Sequence, residues 1–585
     1  MVASQDGDKA KPTSVDSTNN LATKYGWKNT NDAGYNINEV PSGLLRPVKI
    51  ICLGAGASGI NLAKLVQDQM ENVELQIYDK NSDVGGTWLE NRYPGCACDI
   101  PSASYQFTWE PHIWSQYYAE SPEIFDYFKG IVVKYGLSKY IKLRHRVDHA
   151  EWDDDEGQWQ ITLTDLDSGM QFTESCDIFM NAGGPLNYWE WPKITGLNDF
   201  KGVLVHSAAY PEGLDLNGKR VAVVGIGSSG VQIIAKIQSQ VEKLYTWIST
   251  PTWMTPSFAS KYSGPGGGNF QYSEQQKKRF REEPDYYLKY CKMVETQLQQ
   301  GFLAFHQNTP EAKALEKMAR QEMMEKLKGR DELIDKLIPK DFPVGCKRPT
   351  PGNGFLEALV SPNVTTFTKA LDTITEQGFL DPDGHEHEVD VIILATGFNT
   401  TWVPRFPIVA NGYNLQDQYR KNPISYLGLS APFMPNYFTF YGPYGPLGQG
   451  SALCMIEKMA DYFAQMIRKL QLENIKSYTP KMHVALDYQE HTDLYHNRTV
   501  WSGNCRSWFK GGKFGGKIML HPGTRTQYME LIAVPRYEDY EIQYRNRNVW
   551  YWLGNGFSTR DLDGRDLTWY LGLVDGKDEQ QDFEV

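Results

Sequence analysis

The sequence predicts an α/β fold built on two dinucleotide-binding, Rossmann-like units, with a helical insertion and a C-terminal extension. Three observations predict it. The apolar run Val48–Leu53 leads straight into Gly54-Ala55-Gly56-Ala57-Ser58-Gly59 and then into a helix-compatible stretch. The same design recurs where Arg220–Val224 leads into Gly225-Ile226-Gly227-Ser228-Ser229-Gly230. A further apolar run, Val73–Tyr78, ends in Asp79, close to the ~20-residue distance at which an acid meets a ribose.

The elements follow in order. Residues 1–45 read as an N-terminal extension, disordered to about Thr23 because it is rich in Ser, Asn, Asp and Lys. Residues 46–200 form the first part of one nucleotide domain, with a helix over 60–70. Residues 201–395 form the second, with a helix over 231–240 and strands over 244–248 and 389–394. Its insertion, about 265–340, is helical and charged, and Leu315, Met318, Met323 and Leu327 form one apolar face. Residues 396–585 return to the first domain and extend it, with a helix over 452–470.

Composition excludes several classes. A net charge of -12 repels phosphate backbones, so no nucleic-acid partner is expected. The many Trp and Tyr residues suit aromatic walls around flat ligands, although composition alone favours ordinary core packing. Of the 8 cysteines only Cys96 and Cys98 are close, and C-x-C makes neither a redox C-x-x-C nor a zinc site. All are expected as reduced thiols, with no metal site. The polar start lacks the pattern of a signal peptide, and no apolar run approaches the ~20 residues of a membrane span, so a cytoplasmic location is expected.

The glycines carry the nucleotide argument. A pyrophosphate needs backbone N–H groups aimed at it with no Cβ in the way. Gly54 permits the turn, Gly56 admits the phosphates, and Gly59 lets the helix approach the strand, while Asp79 would accept from a ribose. Gly225, Gly227 and Gly230 repeat this. No acid ends the second unit's next strand, where Ser249 and Thr250 stand, and this leans toward NADPH.

The run Gly85-Gly86-Thr87-Trp88-Leu89-Glu90-Asn91-Arg92-Tyr93-Pro94-Gly95-Cys96-Ala97-Cys98-Asp99 resembles a pattern of the type I (class B flavin) Baeyer–Villiger monooxygenases. Phe200 to Pro211 resembles that family's fingerprint, with Tyr210 where Trp is usual. Ala395-Thr396-Gly397-Phe398 and Lys347-Arg348-Pro349 are similar to two further elements, and Trp508 to a tryptophan of the mobile loop over the nicotinamide. Fungal secondary-metabolism members are the most similar in style.

The resemblance implies FAD and NADPH as cofactors and a ketone and O2 as substrates. It places Thr87 and Trp88 against the flavin, with Ser58, Ala97, Cys98, Asp99 and Tyr105 also at the flavin site. Ser228 and Ser229 share the second turn with its glycines, and Lys347 and Thr250 reach the adenosine phosphate. Family members usually carry Arg where Ser249 stands, which bears on the NADPH preference. The implied reaction converts a ketone to an ester or lactone through a C4a-peroxyflavin that must stay deprotonated. Arginine suits that task, because it stays charged and does not readily give up a proton. Arg348 is the candidate, oriented by Asp99. His206 reads as a histidine linking the two domains and not as a base. The competing readings are an N- or S-oxygenating flavin monooxygenase, which needs no such arginine, and a dinucleotide-binding redox protein without oxygenation.

Overall fold

Two five-stranded, all-parallel sheets organise the chain. The computed structural model describes residues 21–572. The expected disordered tail falls largely outside them, but its last residues enter the helix Leu21–Tyr25.

The first sheet runs in the order Tyr437–Thr439, Ile178–Asn181, Val48–Leu53, Val73–Tyr78, Ile141–Lys142. Its middle strand is buried on both faces, with Ile50, Ile51 and Cys52 fully covered, as a parallel strand between helices must be. The helix Ala57–Gln69 covers one face through Ile60, Leu62, Ala63 and Val66. The edge strand Tyr437–Thr439 comes from far along the chain, and at the carboxyl edge of this sheet the Phe440 N–H donates to the Asn181 carbonyl.

The second sheet runs Val364–Phe367, Lys243–Trp247, Arg220–Val224, Val391–Leu394, Val203–His206. Helix Ser228–Ile237 packs on it through Val231, Ile233, Ile234 and Ile237.

A third sheet was not foreseen. His145–Asp153, Gln158–Asp165 and Gln171–Cys176 form an antiparallel meander, joined by Ile408–Ala410 and Tyr413–Asn414. Its signal was present as alternation, since Trp159, Ile161 and Leu163 all point inward.

The insertion folds as helices Glu274–Glu282, Pro284–Gln299, Pro310–Lys326 and Asp331–Leu337. Met323 and Leu327 are fully buried and Leu315 half-buried, but Met318 is 54% exposed. The expected apolar face therefore loses Met318: a helix turns 100° per residue, and a stripe drawn through residues 315, 318, 323 and 327 is wider than the one the core accepts. The lead into the first domain is tied to the C-terminal extension, because Pro41 bridges Gly554 and Ser42 bridges Ser558.

The thiol expectation requires correction. Cys346 and Cys505 form a disulfide, with 6.2 Å between Cα atoms across 159 residues of sequence. Two loops meet only because the second domain and the C-terminal part fold against each other, and no local spacing announces such a pair. The other six cysteines are free. Burial holds the Cys52, Cys98 and Cys176 thiols well above their ordinary range, which makes them inert.

Candidate active site

Both glycine turns have the same construction. A Cβ on Gly59 would lie 2.1 Å from the Gly54 carbonyl oxygen, and one on Gly230 would lie 1.9 Å from that of Gly225. In each unit the helix therefore touches the turn backbone. Gly54 and Gly225 hold φ of +103° and +111°, which a side chain disfavours. Each helix begins after a glycine, Gly56 or Gly227, with no side chain capping its first N–H groups. Those free donors at a positive helix end, with open space over Gly227, fit a pyrophosphate. Ser58 lies in the first turn of the first helix, and Ser228 and Ser229 in that of the second.

Asp79 is buried at the end of its strand. Its carboxylate accepts from the Ala55 and Asn81 N–H groups at 2.7 and 2.8 Å, which fixes it beside the first turn. Burial raises its pKa, and these two bonds oppose that rise. Ser249 and Thr250 are exposed just past the strand Lys243–Trp247, at the second unit's carboxyl edge.

The run from Gly85 to Asp99 joins the two units. Thr87 is exposed at the start of the short helix Thr87–Glu90. Trp88 donates from Nε1 to the Tyr105 hydroxyl at 3.1 Å, and the two rings meet edge to face. Gly95, at φ +80°, lies directly on the second unit's helix, where a Cβ would meet the Gln232 carbonyl oxygen at 2.8 Å. Gln232 itself donates to the Ala97 carbonyl at 3.0 Å and accepts from the Tyr93 hydroxyl at 2.9 Å. The Cys98 N–H donates to the Ala119 carbonyl. Asp99 is thereby held at the junction of the two nucleotide units.

Arg348 meets it there. Its Nη2 donates to Asp99 Oδ1 at 2.8 Å, and Nη1 makes a second, close contact with Oδ2. Arg348 sits just before Thr350–Pro351, which pairs with Met254–Thr255, and its guanidinium lies 5.4 Å from the centre of the Phe258 ring. Burial works against its charge, but the Asp99 carboxylate outweighs this, so the guanidinium is held above its ordinary pKa. A fork-to-fork pair also fixes orientation, which a lysine could not do.

Next to it, Lys347 donates to the Pro251 carbonyl at 2.8 Å, close to Thr250. Burial, and then the nearby Arg506, bring its amine down to about 8. The disulfide ties Cys346, the preceding residue, to Cys505 and so to the loop carrying Trp508. Trp508 is half-buried against Phe509, with ring centres 4.3 Å apart. A buried lysine accompanies the disulfide: Lys510 Nζ donates to the Gly503 carbonyl at 2.6 Å and lies 3.7 Å from each sulfur. His206 stacks on Trp189 at 4.3 Å, accepts from the Ala208 N–H, and is lowered by burial to about 4. It is a neutral packing residue at ordinary pH.

Sequence reasoning missed Tyr93, Gln232, Phe258 and the Cys346–Cys505 bond. Gln232 had one available signal, its position near the start of the helix that follows the second glycine turn. The remaining three act through tertiary contacts alone.

The family model described as flavin-binding monooxygenase-like matches residues 47–263. The chain is 36% identical over 528 residues to the FAD-binding monooxygenase stcW of Emericella nidulans, covering 89% of this chain and 87% of that one. It is 31% identical over 490 residues to a Baeyer-Villiger monooxygenase of Pseudomonas aeruginosa, covering 83% and 90%. Among solved structures, OTEMO in complex with FAD and NADP superposes with a TM-score of 0.73 at 26% identity, covering 86% of this chain and 100% of that one. The chain belongs to the flavin-binding monooxygenase family, as a flavin-dependent monooxygenase with FAD and a nicotinamide dinucleotide phosphate as its cofactors.

Proposed function

We propose that this chain inserts one oxygen atom from O2 between a ketone carbonyl and its neighbouring carbon, giving an ester or lactone, while the second atom leaves as water and NADPH is oxidised. One carbon–carbon bond breaks and two carbon–oxygen connections replace it. The observation that carries the proposal is the two-point pair of Arg348 with Asp99 at the junction of the two nucleotide units. We assign FAD to the turn of Gly54, Gly56 and Gly59 and NADPH to the turn of Gly225, Gly227 and Gly230.

When bound, FAD supplies the activation of O2 and NADPH the two electrons. The protein's own residues do the rest. Arg348 holds a permanent positive charge where negative charge develops, both on the attacking oxygen and on the carbonyl oxygen it converts. It gives up no proton, so it does not quench a nucleophilic anion. Asp99 keeps the guanidinium oriented and offsets the cost of covering it. Lys347 and Thr250 are assigned to the phosphate of the nicotinamide cofactor, and Trp508, on the tethered loop, to covering its ring. An N- or S-oxygenating relative needs no such cation, which is why the pair favours ketone chemistry.

We place the substrate among bulky ketones of fungal secondary metabolism, following the resemblance. The test is Arg348→Ala, studied by rapid mixing and by product mass with labelled O2. Flavin reduction by NADPH should persist while labelled ester disappears. Undiminished ester formation would refute the assignment.

A further inference from the structure

Two buried tyrosines outside the site described above grip a turn that faces it. Tyr117 and Tyr118 are consecutive, and each spends its hydroxyl on a backbone carbonyl of the same turn. Tyr118 donates to the Phe258 carbonyl at 2.6 Å, and Tyr117 to that of Ala259 at 2.9 Å. The turn is a demanding one. Ala259 holds φ of +52°, a conformation that side chains disfavour and that persists where the surroundings fix it. Burial raises the Tyr118 pKa, a bond with Ser257 opposes the rise and the Asp99 carboxylate adds to it, so the hydroxyl stays protonated and remains a donor.

The turn matters for what Phe258 faces. The Arg348 guanidinium lies 5.4 Å from the centre of its ring, a distance at which a ring face attracts a cation. The two segments run side by side: Met254–Thr255 pairs with Thr350–Pro351, and the Ser257 hydroxyl accepts from Asn353 Nδ2 at 3.0 Å. The tyrosines' own segment holds the other partner of the ion pair. The Cys98 N–H donates to the Ala119 carbonyl at 3.0 Å and the Ser102 N–H to the Tyr117 carbonyl at 2.7 Å, one on either side of Asp99. The contacts therefore close a ring. They run from Asp99 across paired backbone to Tyr118, through its hydroxyl to Phe258, from that ring to Arg348, and back to Asp99 through the ion pair.

A planar guanidinium needs two constraints. Asp99 takes one edge, which sets the direction in which the cation points but leaves the plane free to roll about that axis. A neighbouring ring face limits the roll. Phenylalanine has only two side-chain torsions, so the position of its ring follows closely from its backbone, and that backbone is what Tyr118 holds.

We propose that Tyr118 is a positioning residue for Arg348: its hydroxyl fixes the Phe258 backbone, and the Phe258 ring in turn fixes the face of the guanidinium. The inference rests on the role proposed for Arg348 above, the holding of negative charge on oxygen beside the flavin.

The test uses the FAD-loaded protein, reduced and then mixed with O2 and NADP, with no ketone present. Flavin absorbance reports how fast the oxidised form returns. Tyr118→Phe removes one oxygen atom and should speed that return about five-fold, and Phe258→Leu should do the same. Because Tyr118 acts through Phe258, the double variant should be no faster than Phe258→Leu alone, whereas independent effects would multiply. The rate of flavin reduction by NADPH should be unchanged in all three, which a general loosening of the fold would not allow. In a crystal structure of Tyr118→Phe the Phe258 ring should be displaced from Arg348. A normal return in Tyr118→Phe, effects that multiply, flavin reduction slowed by the same factor, or a ring left in place overturns the inference. Arg348→Ala separates the two readings. If it speeds the return while Tyr118→Phe does not, only the positioning role falls; if it too returns at the ordinary rate, the role of Arg348 falls with it.

Discussion

Arg348 and Asp99 lie 249 positions apart in the chain and face each other as a two-point ion pair, with Nη2 to Oδ1 at 2.8 Å. Each is supplied by a different nucleotide unit, so the pair forms only when the two units are docked. Asp99→Ala should therefore leave Arg348 charged but unaimed. NADPH oxidation is expected to continue, with ester formed per NADPH falling about 100-fold as the electrons are diverted to hydrogen peroxide. The loss of stability should be about 1–3 kcal/mol, because the guanidinium side chain keeps 32% of its surface exposed. Product yield against peroxide release checks the first, and denaturant unfolding the second.

The two turns separate folding from binding. Gly230→Ala places a Cβ 1.9 Å from the Gly225 carbonyl oxygen and should disrupt the second unit outright. Gly227 has ordinary φ of −72° and nothing within 4 Å of its missing Cβ. Gly227→Ala should thus fold with an unchanged melting temperature, yet bind NADP about ten-fold or more weakly, because the methyl group occupies phosphate space. Calorimetric titration with NADP, alongside thermal melts, distinguishes the two variants.

Lys347 gives a pH dependence. Burial lowers its folded pKa to about 8, below the ordinary 10.5 of the unfolded chain. Between those values the folded state has released a proton that the unfolded state keeps, so this group's contribution to stability rises with pH above 8. The phosphate contact proposed for it moves the opposite way, since charge is lost as pH passes 8. The KM for NADPH should climb above that pH, by up to about ten-fold per unit. Lys347→Arg should flatten the rise, and a KM profile from pH 7 to 10 measures both.

The Cys346–Cys505 bond closes a long stretch of chain and joins the Arg348 segment to the Trp508 loop. Denatured but unreduced protein should titrate six thiols, and reduced protein eight. Cys505→Ser should cost about 2–4 kcal/mol of stability. It should also slow oxygenation more than flavin binding, because the loop that carries Trp508 is no longer tied to the segment that carries Lys347 and Arg348. A count of eight thiols before reduction refutes the bond.

The sequence alone determined the two glycine turns, their strands and helices, and Asp79 at the end of a strand. These are local features: a turn's φ requirement and a helix's apolar period are written in adjacent residues. Arg348, Asp99, Lys347 and Trp508 were found through motif resemblance, since nothing in their immediate neighbours separates an active-site arginine from a solvated one. It is the folded arrangement that brings Asp99 to Arg348 and Cys346 to Cys505, and that turns Met318 to solvent. Each of these depends on which distant segments the sheets bring together, a long-range choice made by burial and packing that no short window of sequence encodes.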